Sequence, residues 1–106
     1  MNISEIKDQM CDICHKMWQL GWVAANDGNV SVKLDENAFL VTPTGISKSL
    51  ITPEKLLIIT KDCEIIEGAS GYKPSSEIRM HLRCYQDRDD VGAVVHAHPP
   101  AATAFA

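Results

Sequence analysis

The sequence predicts one α/β domain in which amphipathic helices are interleaved with short strands. Three observations predict it. Apolar residues near the N-terminus recur at three- and four-residue spacing, two later runs alternate with period two, and His96 and His98 stand two apart in an apolar stretch that reads as a strand. A chain of 106 residues is one domain's worth. At 45% hydrophobic and 23% charged residues it has enough apolar content to build a core, which excludes a disordered tail. No stretch approaches the ~18 uninterrupted apolar residues that read as a membrane span. Lys plus Arg total 10 against 14 Asp plus Glu, a formal net charge of -4. The basic footprint of a nucleic-acid binder is therefore missing. Binding of a compact anion by local backbone amides needs no net positive charge and stays open.

The first helix is expected from about Ser4 to Leu20. Ser4 is its N-cap, Gly21 its stop, and Ile3, Ile6, Met10, Ile13, Cys14, Met17 and Leu20 form its apolar face. Within it, Cys11-Asp12-Ile13-Cys14-His15 fits the C-x-x-C-H pattern of haem attachment. That chemistry requires export, and the segment Met1 to Gln9, with Glu5, Lys7 and Asp8, contains no apolar signal-peptide region. The expectation is a plain amphipathic helix with Cys14 as a small buried hydrophobe, and all four cysteines (Cys11, Cys14, Cys63, Cys84) as thiols in a reducing cytoplasm. Val30 to Leu34 and Ala38 to Thr42 alternate and read as a hairpin turning at Asp35-Glu36-Asn37. Pro43 and Gly45 end the second strand, and Thr52-Pro53-Glu54 looks like a helix start with Pro at its first position. Leu56 to Thr60 is a buried strand, paired with Glu64 to Glu67. Ser75-Ser76-Glu77 opens a second helix with Ile78, Leu82 and Tyr85 on one face, and Asp87 to Asp90 ends it. Val91 to His98 is the last strand, which Pro99-Pro100 stops. The final run, Ala101 to Ala106, is helix-prone and uncapped, so residues 1–106 are expected to be a single domain truncated at its C-terminus.

His96 and His98 carry the strongest chemical signal. Side chains at i and i+2 of a strand point to one side, and two imidazoles on one face at a strand end suit a zinc ion. H-x-H alone is a weak motif, and the other histidines, His15 and His81, fall on helices. In Lys73-Pro74-Ser75-Ser76-Glu77, two hydroxyls and the amides of a helix N-terminus can receive an anion, although serines there are also ordinary caps and Glu77 an ordinary first-turn acid. Gly28-Asn29 and Thr42-Pro43-Thr44-Gly45 read as turn chemistry or as ligand loops.

Taken together, Gly28-Asn29-Val30-Ser31, Thr42-Pro43-Thr44-Gly45-Ile46, Pro74-Ser75-Ser76-Glu77 with Met80-His81, and His96-Ala97-His98-Pro99-Pro100 occur in one order along the chain. In this the sequence resembles the class II aldolase/adducin family, with the L-fuculose-phosphate aldolase branch nearest. The resemblance implies a three-layer α/β/α arrangement around a mostly antiparallel central sheet, of which this chain is the N-terminal part, and a cytoplasmic homotetramer. It implies a small phosphorylated sugar as substrate, its phosphate held by residues matching Asn29, Thr44, Gly45, Ser75 and Ser76. Glu77 matches the family's acid/base carboxylate, and it can also approach the metal when the site is empty. His96 and His98 match two of three zinc-binding histidines; the third lies, by the resemblance, beyond Ala106, as do aromatic residues that close the site.

The implied reaction is metal-dependent cleavage of a phosphorylated ketose to dihydroxyacetone phosphate and an aldehyde. Relatives run epimerisation or dehydration with much the same parts. The epimerase branch typically has Asp where Glu77 stands, whereas a ketose-phosphate dehydratase keeps the Glu. A non-catalytic, adducin-like interaction domain would be expected to lack His96 and His98, and an incomplete, inactive fragment is the remaining alternative.

Overall fold

Helix α1 (Ile3–Gln19) begins where a short polar side chain meets an acid three residues later. The computed structural model describes residues 2–23 and 28–97, and in it Asn2, not Ser4, is the N-cap. Asn2 Oδ1 accepts the Glu5 amide at 2.9 Å while Asn2 Nδ2 donates to the Glu5 carboxylate at 3.0 Å. Only a residue three before Glu5 can close this reciprocal pair, and Ser4 already lies inside the first turn. The other end closes as expected at Gly21, whose φ is +73°. The Gly21 amide donates to Trp18 O and the Trp22 amide to Met17 O, the two bonds of a Schellman stop.

The buried stripe of α1 is Met10, Cys11, Cys14 and Met17, with Ile6 partly buried. Ile3, Ile13 and Leu20, expected on that face, are exposed. The stripe is rotated toward Cys11, which leaves Ile13 and Leu20 on the opposite flank, and Ile3 sits at the free end of the helix. Cys11 and Cys14 are both buried on the packed face of α1, where Cys14 fills the place of a small hydrophobe, as expected.

Strands β1 (Asn29–Asp35) and β2 (Ala38–Val41) form the expected hairpin, pairing Ser31 with Val41 and Val32 with Leu40. Asp35 Oδ1 caps its turn by accepting the Asn37 amide at 2.8 Å. Two 3-10 turns follow, Lys48–Leu50 and Pro53–Lys55; the second is the helix start expected at Thr52-Pro53, arrested after one turn. Strands β3 (Leu57–Ile59) and β4 (Ile65–Glu67) pair antiparallel, as expected. Helix α2 (Ile78–Asp87) ends on Arg88, and β5 (Ala93–His96) is shorter than the Val91–His98 expected. The expectations for His98 and for a helix from Ala101 fall outside the described residues.

The five strands run in the order β4-β3-β2-β1-β5, each pair antiparallel. Strand alternation sends Val30, Leu40 and Ile58 to the α1 side and Phe39, Val41, Leu57 and Ile59 to the α2 side. Both faces are thereby covered, giving the three-layer α/β/α arrangement around an antiparallel sheet. No described helix is long and apolar enough to cross a membrane.

Candidate active site

The site forms where β1 and β5 meet the start of α2. Antiparallel register places Asn29 directly opposite His96. Alternation along β1 turns Asn29 and Ser31 toward α2, while Val30 between them enters the α1-side core. On α2 the residues that meet them are Glu77, His81 and Tyr85, spaced by four and therefore stacked on one face.

Glu77 stands at the helix cap, where Oε2 accepts two hydrogen bonds. One comes from Asn29 Nδ2 at 2.6 Å and the other from His96 Nδ1 at 2.9 Å. A carboxylate can only accept, so the proton of that second bond is on His96 Nδ1. The Glu77 side chain is 52% exposed and that of His96 is 26% exposed. The carboxylate is thus held by two donors yet remains open to solvent. Gly28, immediately before Asn29, has φ +84°, and a Cβ there would come within 2.9 Å of the His96 carbonyl oxygen. Only glycine permits β1 and β5 this approach.

The two candidate anion loops lie side by side. An isolated bridge pairs Pro43 with Pro74, and the Thr44 amide donates to Lys73 O at 2.7 Å. Thr44-Gly45 therefore lies against the segment leading into Ser75-Ser76. Ser75 Oγ accepts the Glu77 amide at 3.2 Å, fixing the turn from the serines into α2, and Thr44, Gly45 and Ser76 are exposed. Asn29 is buried, and its side-chain amide donates to Glu77, the residue that directly follows Ser75-Ser76.

Behind the carboxylate lies a buried polar group that sequence reasoning did not assemble. Ser31 Oγ contacts His81 Nδ1 at 2.7 Å and the Tyr85 hydroxyl at 2.8 Å. Burial, aided by the nearby His96 and opposed by Glu77, pushes the His81 imidazole down to about 4. Burial also raises the Tyr85 phenol. The signal available in the sequence was the four-residue spacing of Glu77, His81 and Tyr85; the period-two link from Asn29 to Ser31 completes it. Among the described residues no three His, Cys, Asp or Glu side chains gather as a metal site.

The family profile Class II Aldolase and Adducin N-terminal domain matches residues 8–106. An L-fuculose phosphate aldolase of Methanococcus maripaludis is 41% identical over 93 residues, which cover 88% of this chain and 49% of that protein. A methylthioribulose-1-phosphate dehydratase of Persephonella marina is 38% identical, over 82% of this chain and 40% of its own. The solved structure of an L-fuculose 1-phosphate aldolase superposes with a TM-score of 0.86 at 31% identity, covering 99% of this chain and 49% of that one. The chain spans about half the length of the relatives it matches.

Proposed function

The chain belongs to the class II aldolase and adducin family, and from that premise we propose that it carries the proton-transfer and phosphate-binding residues of a zinc-dependent aldolase. The substrate is a phosphorylated ketose of the L-fuculose 1-phosphate type, cleaved to dihydroxyacetone phosphate and an aldehyde by a cytoplasmic homotetramer. The observation that carries this reading is the Glu77 carboxylate, held by Asn29 and His96 at the mouth of an α2 N-terminus whose preceding loop is Ser75-Ser76.

The bond His96 makes suits a zinc ligand. The Glu77 carboxylate fixes His96 with Nδ1–H engaged, the second-sphere arrangement that presents Nε2 to a metal. His96 and His98 would hold zinc, and the metal would supply Lewis acidity to the substrate oxygens. Glu77 moves the proton at the carbon next to the carbonyl, within reach of a substrate whose phosphate occupies the adjoining loops. Thr44, Gly45, Ser75 and Ser76 receive that phosphate with hydroxyls and amides, and the α2 dipole favours its charge. Asn29, bonded to Glu77, aims the carboxylate and borders the phosphate at the β1 end. Binding at the phosphate orients the substrate for chemistry at the carbonyl and the carbon next to it.

Product analysis tests the assignment. The intact protein incubated with zinc and L-fuculose 1-phosphate should release dihydroxyacetone phosphate. Loss of water without carbon–carbon cleavage, from this or another ketose 1-phosphate, would replace the aldolase reading with the dehydratase one, which the Persephonella marina relative shares.

A further inference from the structure

Resting on that reading of the site, we propose that His81 is a positioning residue: through Ser31 and Tyr85 its imidazole locks α2 against β1 and so holds Glu77 on Asn29 and His96. The geometry is a two-rung ladder. Asn29 and Ser31, successive residues on one face of β1, grip Glu77 and His81, one turn apart on α2, and Tyr85 a turn further on adds a second contact to Ser31. A rotation or slide of α2 that broke the lower rung would carry Glu77 off Asn29, because both rungs share the same two rigid elements.

The proton order of the lower rung follows from its partners. Among the described residues the Tyr85 hydroxyl has Ser31 Oγ, at 2.8 Å, as the hydrogen-bond partner that can take its proton. The Ser31 hydroxyl then donates to His81 Nδ1, which must be unprotonated, and the neutral ring carries its hydrogen on Nε2. His81 is fully buried, and Nε2 has no partner among the described residues. The opposite order would strand the Tyr85 proton as well as Nε2, leaving two unmade bonds in place of one. A chain of three groups with one fixed proton direction has one geometry, which is what a positioning element requires.

Imidazole nitrogen spectroscopy on the intact protein, with kinetics on Ser31→Ala and Tyr85→Phe, tests this. In the wild type, His81 should be the neutral Nε2–H tautomer near pH 7. Both variants should shift the His96 ring signals, because Glu77 moves, and should lower kcat roughly tenfold to a hundredfold with KM within about twofold. A wild-type Nδ1–H tautomer overturns the proposal, and so do unshifted His96 signals in both variants or an unchanged kcat in an active enzyme. If the wild type cleaves no ketose phosphate, the aldolase reading fails by itself, and the tautomer and the His96 signals still decide the role of His81.

Discussion

The fate of individual side chains at this site depends on what each can accept or donate. Glu77 accepts from Asn29 and His96, so its charge is anchored without being buried. His81 illustrates the opposite regime. Its folded value of about 4 lies below the ordinary 6.5, so between those pH values the unfolded chain binds a proton that the native one refuses. Stability from this group is complete above pH 6.5 and is lost as the pH falls toward 4. Urea unfolding should show roughly 1.5 kcal/mol lost between pH 6.5 and 5. The loss should shrink in His81→Gln; an equal slope in that variant would remove His81 as its source. The thiols divide in the same way. Burial pushes Cys14 up to about 12 and Cys11 to about 11, whereas Cys63 and Cys84 are partly exposed. Alkylation at pH 8 should therefore modify Cys63 and Cys84 first and spare Cys11 and Cys14 until the chain unfolds; early labelling of Cys14 would contradict the packing described for α1.

At the level of elements, two glycines separate backbone strain from steric approach. Gly21 has φ +73° and nothing within 4 Å of an added Cβ, so Gly21→Ala should cost only the left-handed penalty, about 1 kcal/mol, measured by denaturant midpoint. Gly28 adds to its φ of +84° a contact with the His96 carbonyl, so Gly28→Ala should cost more than Gly21→Ala and also disturb the Asn29–His96 pairing. Equal costs would mean that β1 and β5 yield freely at this point. These elements were largely legible in the sequence because their signals are local: the spacing of Met10, Cys14 and Met17, the alternation of Val30 to Leu34, the turn at Asp35 to Asn37. The misreadings were also local. Ser4 and Asn2 are both good caps, and only the spacing to Glu5 separates them. Ile13 and Cys11 are both apolar, and which one faces inward depends on the rotation of α1 against the sheet.

For the whole molecule, the order β4-β3-β2-β1-β5 was not legible, because the pairing of β1 with β5 joins residues more than sixty apart with no local signature. That pairing is what brings His96 to Asn29 and Glu77, so the candidate site could be named residue by residue yet not assembled. The Ser31–His81–Tyr85 group went unread for the same reason. The chain spans about half the length of the relatives it matches, so ligand tests belong on the intact protein. Ser75→Asp should weaken binding of a ketose phosphate by charge repulsion at the α2 N-terminus, and calorimetry showing an unchanged dissociation constant would move the phosphate elsewhere. Zinc content should fall in the His96→Ala, His98→Ala double variant, and equal zinc in variant and wild type would remove the metal from these residues. The most direct test is the cleavage rate of a ketose 1-phosphate by wild type and Glu77→Gln, with folding and zinc content measured in both. If Glu77 transfers the proton, Glu77→Gln keeps its fold and most of its zinc while turnover drops roughly 10²-fold or more; wild-type turnover in Glu77→Gln would reduce Glu77 to a helix cap and contradict the account.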